Sequence, residues 1–498
     1  MPKTSPSKVP LILTIDVGSS SVRAILFDDQ ANSVDAMSAR RSYEFHTTPD
    51  GGVEIPAEML LNLVIEVLDE VVAKAGNLLS DVVAVSVSTF WHNLVGTDSD
   101  GRAITPVYSW ADTRSAAAAE VLRQRLHESE IHARTGCVLH PSYLPAKLFW
   151  LQQTQAQIFG SAARWMSFGE YLYLRLLGRT ICSISMASGT GLLNQNRCVW
   201  DEELVVALSV RPDQLSQLGD LDSSLSGLSC DYKDRWPALT RIPWLPALGD
   251  GACSNAGSGC STQERVAIMV GTSGAMRVMW KAQEVTIPPG LWCYHADRTR
   301  FVMGGALSNG GLLFDWMRET LQVSDTIEQE LSGMVPDGHR LTVLPFLAGE
   351  RSTGWNPNAR AAIVGLSLHT TPLDIVRAGL EAVAYRFAKI ARLLKQSVPG
   401  TREIIASGGA LLKSLTWTQM MADVLGQPVV VSRAPEASSR GAALLALEAL
   451  KIIPSLEHIP TPLGEMFLPD PGRHEQYVKA MSRQDELYDL LVKRAGVF

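Results

Sequence analysis

The segment Asp16-Val17-Gly18-Ser19-Ser20-Ser21-Val22-Arg23 gathers a carboxylate, a glycine, three hydroxyls and a guanidinium within eight residues. Such a set suits a phosphate. Glycine lets backbone N–H groups approach an anion closely, hydroxyls donate to its oxygens, and arginine offsets its charge. Asp16 could hold Mg2+, directly or through water. A plain β-turn accounts for Gly and Ser equally well. No Gly-Lys-Ser/Thr follows, so this is not a Walker A loop. Gly271-Thr272-Ser273-Gly274, with Arg277 beyond it, is a second turn of small and hydroxylated residues. Ser407-Gly408-Gly409-Ala410 is a third, where a helix start would favour an anion or a nucleotide base edge. For all three, tight packing at a strand end is the competing explanation.

Asp250 stands between Gly249 and Gly251, ahead of a run of small residues that reaches Gly259. An Asp there suits a helix N-cap. It also suits a base that takes the proton of an attacking hydroxyl. Local sequence does not separate the two roles, and they are compatible, because a cap position fixes the direction of the carboxylate. Thr89-Phe90-Trp91-His92-Asn93 and Trp110-Ala111-Asp112-Thr113-Arg114 combine aromatic faces with polar tips. Sugars need that mixture, for their CH faces and their hydroxyls. Asp112 would accept from sugar hydroxyls and Arg114 would face an anionic group. Ordinary core contacts and a helix cap with a first-turn charge explain the same residues. The remaining histidines show no metal-ligand spacing.

The elements that must position these residues alternate strands with amphipathic helices, which favours an α/β fold. Leu11–Ile15 and Val22–Phe27 read as strands around the first turn, and Val266–Val270 and Ala275–Trp280 as strands around the second. The two units share one plan and suggest two related domains. Apolar residues at helical spacing predict a helix over Pro56–Lys74. Asp81–Ser88 reads as a strand, and Pro372–Gln396 as a long helix. The Pro- and Trp-rich stretch Trp236–Gly249 is the expected junction. The expected division is a disordered tail over 1–10, an N-terminal domain over 11–245 and a C-terminal domain over 246–498.

The chain has 498 residues, more than one compact core usually holds. Its 44 Lys and Arg against 51 Asp and Glu leave a formal charge of −7. Without a long basic cluster, that balance argues against nucleic acid as a partner. No apolar run is long enough to span a membrane, and no signal-peptide core is seen. The seven cysteines are scattered with no Cys-x-x-Cys pair, as expected of reduced thiols in a cytoplasmic protein.

Taken together, these motifs resemble those of the FGGY carbohydrate kinases along almost the whole chain. The family's first phosphate motif is similar to Asp16–Arg23 and its second to Gly271–Arg277. Its catalytic Asp motif is similar to Gly249–Gly259, and its adenosine motif to Ser407–Lys413. Ala362–Glu381 fits its C-terminal pattern except at Gly379, where another small or branched residue is expected. Ser142–Gln153 fits another pattern in part, with Leu144 where Pro, Ser or Thr is usual. Within the family the chain is most similar to the gluconate kinase branch, through Ser109–Ser115, Arg134–Gly136, His140-Pro141, Ala187–Asn194, Gly304–Gly311 and Pro345–Arg351. Xylulose kinases share much of this.

The resemblance implies two ribonuclease-H/actin-like domains flanking an interdomain catalytic cleft that closes on ligands. It implies ATP and Mg2+ as cofactors and a small sugar or sugar acid as substrate, with D-gluconate to 6-phosphogluconate as the expected reaction. A pentulose or polyol kinase is the alternative, and a silent sugar-binding regulator a third. Carried onto this chain, Asp250 is the base, and Asp16 orients Mg2+ through water. Gly18, Ser19, Ser20, Arg23, Gly271, Thr272 and Gly310 approach the phosphates. Gly408, Gly409 and Lys413 border the nucleotide. Trp91, His92, Asp112, Arg114 and Lys147 form the sugar pocket, with Lys147 or Arg114 as the cation for a substrate carboxylate. A homodimer is left open.

Overall fold

The computed structural model describes residues 9–323 and 326–494. The tail expected over 1–10 lies outside them except for Val9 and Pro10, which lead directly into the first strand.

The first sheet is built on a hairpin. Strands β1 (Leu11–Val17) and β2 (Ser21–Phe27) pair antiparallel across the Gly18 turn, and β3 (Ser33–Ser42) adds to β2. Helix α1 (Ala57–Ala75) buries Leu60, Leu61, Val64, Val67, Leu68 and Val71, while its glutamates face out. That stripe is what helical spacing of apolar residues demands. The helix returns the chain to β4 (Val82–Thr89), parallel to β1. The short β5 (Leu248–Gly249) runs parallel to β4 on its other side, completing the order β5-β4-β1-β2-β3. Between β4 and β5 come the helices α2 (Leu144–Thr154) and α3 (Ile184–Ser188).

The second sheet repeats this plan. Strands β6 (Arg265–Val270) and β7 (Gly274–Lys281) form the hairpin, extended by β8 (Trp292–Asp297) and β9 (Arg300–Leu307) in the order β8-β9-β7-β6. On the other side of β6 lie β10 (Glu403–Ser407) and β11 (Val429–Ser432), both parallel to it, and then the antiparallel β12 (Leu463–Phe467). The repeat expected from the two turns is therefore present in the sheets themselves.

Helix α4 (Asp250–Gly257) follows β5. Helices α5 (Gly311–Leu321), α6 (Pro372–Ser397), α7 (Gly409–Leu412) and α8 (Ala437–Ala449) belong to the second half of the chain. A capping box of Thr371 and Asp374 starts α6. At Gly379, the departure from the family pattern, an added Cβ would fall 2.6 Å from the end of the Met317 side chain. Helices α4 and α8 cross at contact distance of their backbones. A Cβ at Gly257 would sit 1.9 Å from the Ala437 carbonyl, and one at Gly441 would sit 1.8 Å from the Cys253 carbonyl.

The expected junction is no linker. Trp236 and Trp244 are fully buried, and Trp244 bridges to Val85 at the edge of the first sheet. The boundary expected at 245/246 therefore cuts ahead of β5 and α4, which pack in the first core. Residues Ala442–Leu447 of α8 join the same core. No helix among the described residues is long and apolar enough to cross a membrane, and all seven cysteines are free.

Candidate active site

Three parallel strands end side by side in the first sheet, and the candidate residues sit just beyond those ends. Asp16 on β1 is opposite Ser88 on β4, and Thr89 on β4 is opposite Gly249 on β5. Loops at the carboxyl ends of parallel strands are the usual place for a site in such sheets. Asp16, the Phe90–Asn93 turn and Asp250 are thereby brought to one edge.

Asp250 is the first residue of α4, with Gly249 as its N-cap. The sequence reading made Asp250 itself the cap, so the helix begins one residue earlier than expected. Its Oδ1 accepts from the backbone N–H groups of Gly251 at 2.8 Å and Trp91 at 3.4 Å. Burial pushes its carboxyl above the usual range, while nearby Arg277 pulls it down. The flanking glycines have a steric reason. A Cβ on Gly249 would fall 1.9 Å from the Trp91 indole, and one on Gly251 would fall 2.4 Å from it. The close neighbour is thus a side chain rather than another stretch of backbone. Trp91 Nε1 donates to the Ser185 carbonyl at 2.9 Å, and the Gly249 N–H donates to Ser185 Oγ at 3.1 Å, so α3 clamps both partners.

His92 adopts a left-handed backbone, φ 62°, that a residue with a Cβ rarely takes. Burial holds its imidazole down to about 3, so the ring is neutral. Nδ1–H donates to the Gly189 carbonyl, which leaves Nε2 as an acceptor. Around it stand Tyr143 and Tyr294, whose hydroxyls share a hydrogen bond of 2.6 Å. His140 and Trp355 extend this aromatic group. Tyr294 and Trp355 come from the second half of the chain, so both halves build this aromatic cluster.

Three expected pocket residues are engaged elsewhere. Asp112 accepts from the Val53 N–H at 3.1 Å and from Arg114 Nε at 3.2 Å. Arg114 also pairs with Glu54 and lies between the Tyr108 and Trp150 rings. The Lys147 ammonium donates to the Pro141 and Ser142 carbonyls at 2.6 and 2.9 Å, and burial brings it down to about 7. These three side chains are engaged within the protein, and Lys147 holds the loop that carries His140 and Tyr143.

At the first hairpin, the Gly18 N–H is used by the Ser21 carbonyl, and Ser19 and Ser20 are exposed. Arg23 bonds Asp16 Oδ2 at 3.1 Å and Glu436 at 2.9 Å. Asp16 is 2% exposed, and its Oδ1 is buried without a partner. Burial pushes its carboxyl up to about 6, against the opposing pull of Arg23. At the second hairpin, Gly271, Thr272, Gly409 and Lys413 line one cavity of about 480 Å³ with Phe314 and Arg318. Gly408 has φ 90°, and a Cβ there would lie 2.5 Å from the Val270 carbonyl. Gly310 takes a place behind the turn, because its N–H donates to the Thr272 carbonyl at 3.1 Å. It braces the turn rather than offering an amide to a ligand.

Tyr143, Tyr294 and Trp355 were not among the residues expected at the site, His140 and Arg351 were named only as carrying the branch resemblance, and Arg277 only as part of the second phosphate motif. His140-Pro-Ser-Tyr143 carries the same aromatic and polar mixture as Trp91-His92, and that signal was available. Tyr294 lies inside a fully buried strand and reads as core.

Two sheets built on hairpins of one plan thus flank a carboxylate at a helix start. The model of the N-terminal domain of the FGGY family of carbohydrate kinases matches residues 11–257, and that of its C-terminal domain matches residues 266–450. The chain belongs to this family. A gluconokinase of Bacillus subtilis (strain 168) is 27% identical over 469 residues, covering 92% of this chain and 91% of the relative. The crystal structure of a gluconate kinase from Lactobacillus acidophilus superposes with a TM-score of 0.90 at 28% identity, covering 98% of this chain and 100% of that one. A ligand-bound xylulose kinase from Lactobacillus acidophilus gives 0.91 at 28% identity and the same coverage.

Proposed function

We propose that the protein transfers the γ-phosphoryl group of ATP to a hydroxyl of a sugar acid, D-gluconate giving 6-phosphogluconate. The observation that carries this is Asp250. Its Oδ1 is fixed by two backbone N–H groups, and its carboxyl is raised towards the range useful for a base. Likeness to two gluconate-named kinases supports gluconate over other sugars. Likeness to the xylulose kinase keeps a pentulose as the second candidate.

In this scheme Asp250 accepts the proton of the attacking hydroxyl. His92 Nε2 accepts from a second hydroxyl, and the Trp91 indole packs against the carbon chain. The turn at Gly271 and Thr272, the Gly408-Gly409 corner and Lys413 hold the nucleotide. Gly18, Ser19 and Ser20 meet its phosphates from the other side, and Arg23 joins them by releasing Glu436. Asp16 is the residue suited to Mg2+, since its buried Oδ1 has no other partner. Mg2+, when bound, offsets the phosphate charge. Shielding of the site from water keeps ATP from being hydrolysed in place of the sugar.

An ADP-release screen over gluconate, other aldonates, ketopentoses and polyols tests this. Turnover with gluconate at a kcat/KM above that of every neutral sugar is expected. Turnover of neutral sugars alone would sink the gluconate assignment.

A further inference from the structure

A sugar acid needs a cation for its carboxylate, and both cations expected from sequence are engaged, Arg114 by Asp112 and Glu54 and Lys147 by two carbonyls. Arg351 differs. Its guanidinium lies over the Trp110 ring, 5.5 Å from the centroid, and its Nε is buried without a partner. No carboxylate among the described residues pairs with it. Its carbonyl accepts from the Trp355 N–H at 2.7 Å, which joins it to the aromatic cluster. Its charge reaches His92 and His140, where it acts in the same direction as the larger effect of burial, and Tyr143 and Tyr294, where it opposes burial.

The loop that presents Arg351 is rigidly held. On one side Glu350 pairs with Arg386 and accepts from the Tyr488 hydroxyl at 2.6 Å. On the other, Ser352 and Ala306 exchange hydrogen bonds of 2.9 and 3.0 Å. Asn309 ties down the Gly349 carbonyl at 3.0 Å and the Ala348 N–H at 2.9 Å. A guanidinium carried on so fixed a backbone and stacked on Trp110 suits a planar carboxylate, which a guanidinium binds with two parallel N–H donors. Arg277, another guanidinium with an unpartnered Nε, packs on Gly251 beside Asp250, where the phosphoryl group would lie.

We infer that Arg351 is the residue that binds the substrate carboxylate and so selects sugar acids over neutral sugars. A six-carbon aldonate carries its carboxylate and its terminal hydroxyl at opposite ends of the chain. Arg351 takes one end while Asp250 faces the other. This inference rests on the proposed gluconate activity.

The test is steady-state kinetics of Arg351→Met and Arg351→Lys with gluconate and with glucitol, in which CH2OH replaces the carboxylate. Arg351→Met should raise the KM for gluconate at least 30-fold and change kcat and the KM for ATP less than threefold. Arg351→Lys, which keeps the charge but loses the fork, should raise the KM for gluconate about tenfold. Inhibition by glucitol should change far less than gluconate affinity. A wild-type enzyme inactive on gluconate would refute the gluconate activity itself. A wild-type enzyme active on gluconate, with an unchanged gluconate KM in the variants, would overturn only the role of Arg351. Should Arg351→Met fail to fold, judged by loss of its ATP-induced thermal shift, Arg351→Lys alone decides.

Discussion

At the end of β1 the chain places Asp16, and at the matching point of β6 it places Met269. The match follows from the ladders. Val17 closes the first hairpin against Val22, and Val270 closes the second against Gly274. Asp16 then lies opposite Ser88, and Met269 opposite Ser407. Two sheets of one design thus carry different chemistry. The first holds two carboxylates whose ionisation is resisted, the buried Asp16 and the half-buried Asp250. The second holds glycines, Thr272 and Lys413 around a cavity. In the proposed scheme, this repeated scaffold gives metal and proton chemistry to one half and nucleotide holding to the other.

That division can be broken from either side. The largest effect is expected from Asp250→Asn, which should lower kcat by about 10³-fold or more while ATP and sugar affinities stay within a few-fold. Binding titrations alongside turnover check it, and near-normal turnover would remove Asp250 as the base. Asp16→Asn comes next, with activity at saturating Mg2+ down about 100-fold. The same variant should unfold at a higher temperature at neutral pH. The folded carboxyl, at about 6, lies above its ordinary value. Its ionised form therefore costs stability, fully above pH 6 and not at all below about pH 4. Removing the charge should recover about 3 kcal/mol at pH 7 and little at pH 4, as thermal melts at the two pH values would reveal.

The pH profile sharpens the same contrast. Because both carboxylates are raised, kcat/KM should fall on the acid side starting near pH 6, well above the range of an ordinary carboxylate. The limb should move when Asp16 is replaced and stay put when Lys413 is. In the second half, Gly408→Ala forces a Cβ against the Val270 carbonyl in a left-handed backbone. It should raise the KM for ATP about tenfold with little change in the KM for sugar. Lys413→Ala, the mildest, should raise the KM for ATP about threefold. Equal effects on sugar and ATP in these last two variants would contradict the division of labour.

The hairpins were legible because strand, turn and strand are contiguous, so Gly18 and Gly271 announce themselves. Asp250 was visible as a residue type, but its partner was not. The Trp91 indole that explains both flanking glycines is 159 residues away. Cations were harder still. Sequence supplies Arg114, Lys147 and Arg351 alike, and only the fold decides which is neutralised. Glu54 reaches Arg114 from 60 residues upstream, and no acid among the described residues pairs with Arg351. Gly310 was assigned by its neighbourhood in sequence, whereas its N–H is spent on the turn it supports.

The crossing of α4 and α8 has one more consequence. Gly257 meets the carbonyl of Ala437, and Gly441 meets the carbonyl of Cys253. Residue 441 is 184 positions after 257, and 437 is 184 after 253, so each contact is the image of the other. This is the pattern of an isologous interface, in which one patch meets its own copy across a two-fold axis. Within a single chain, the two halves touch as two subunits of a symmetric dimer would, and Asp250 lies at the start of one of the two helices that form that axis.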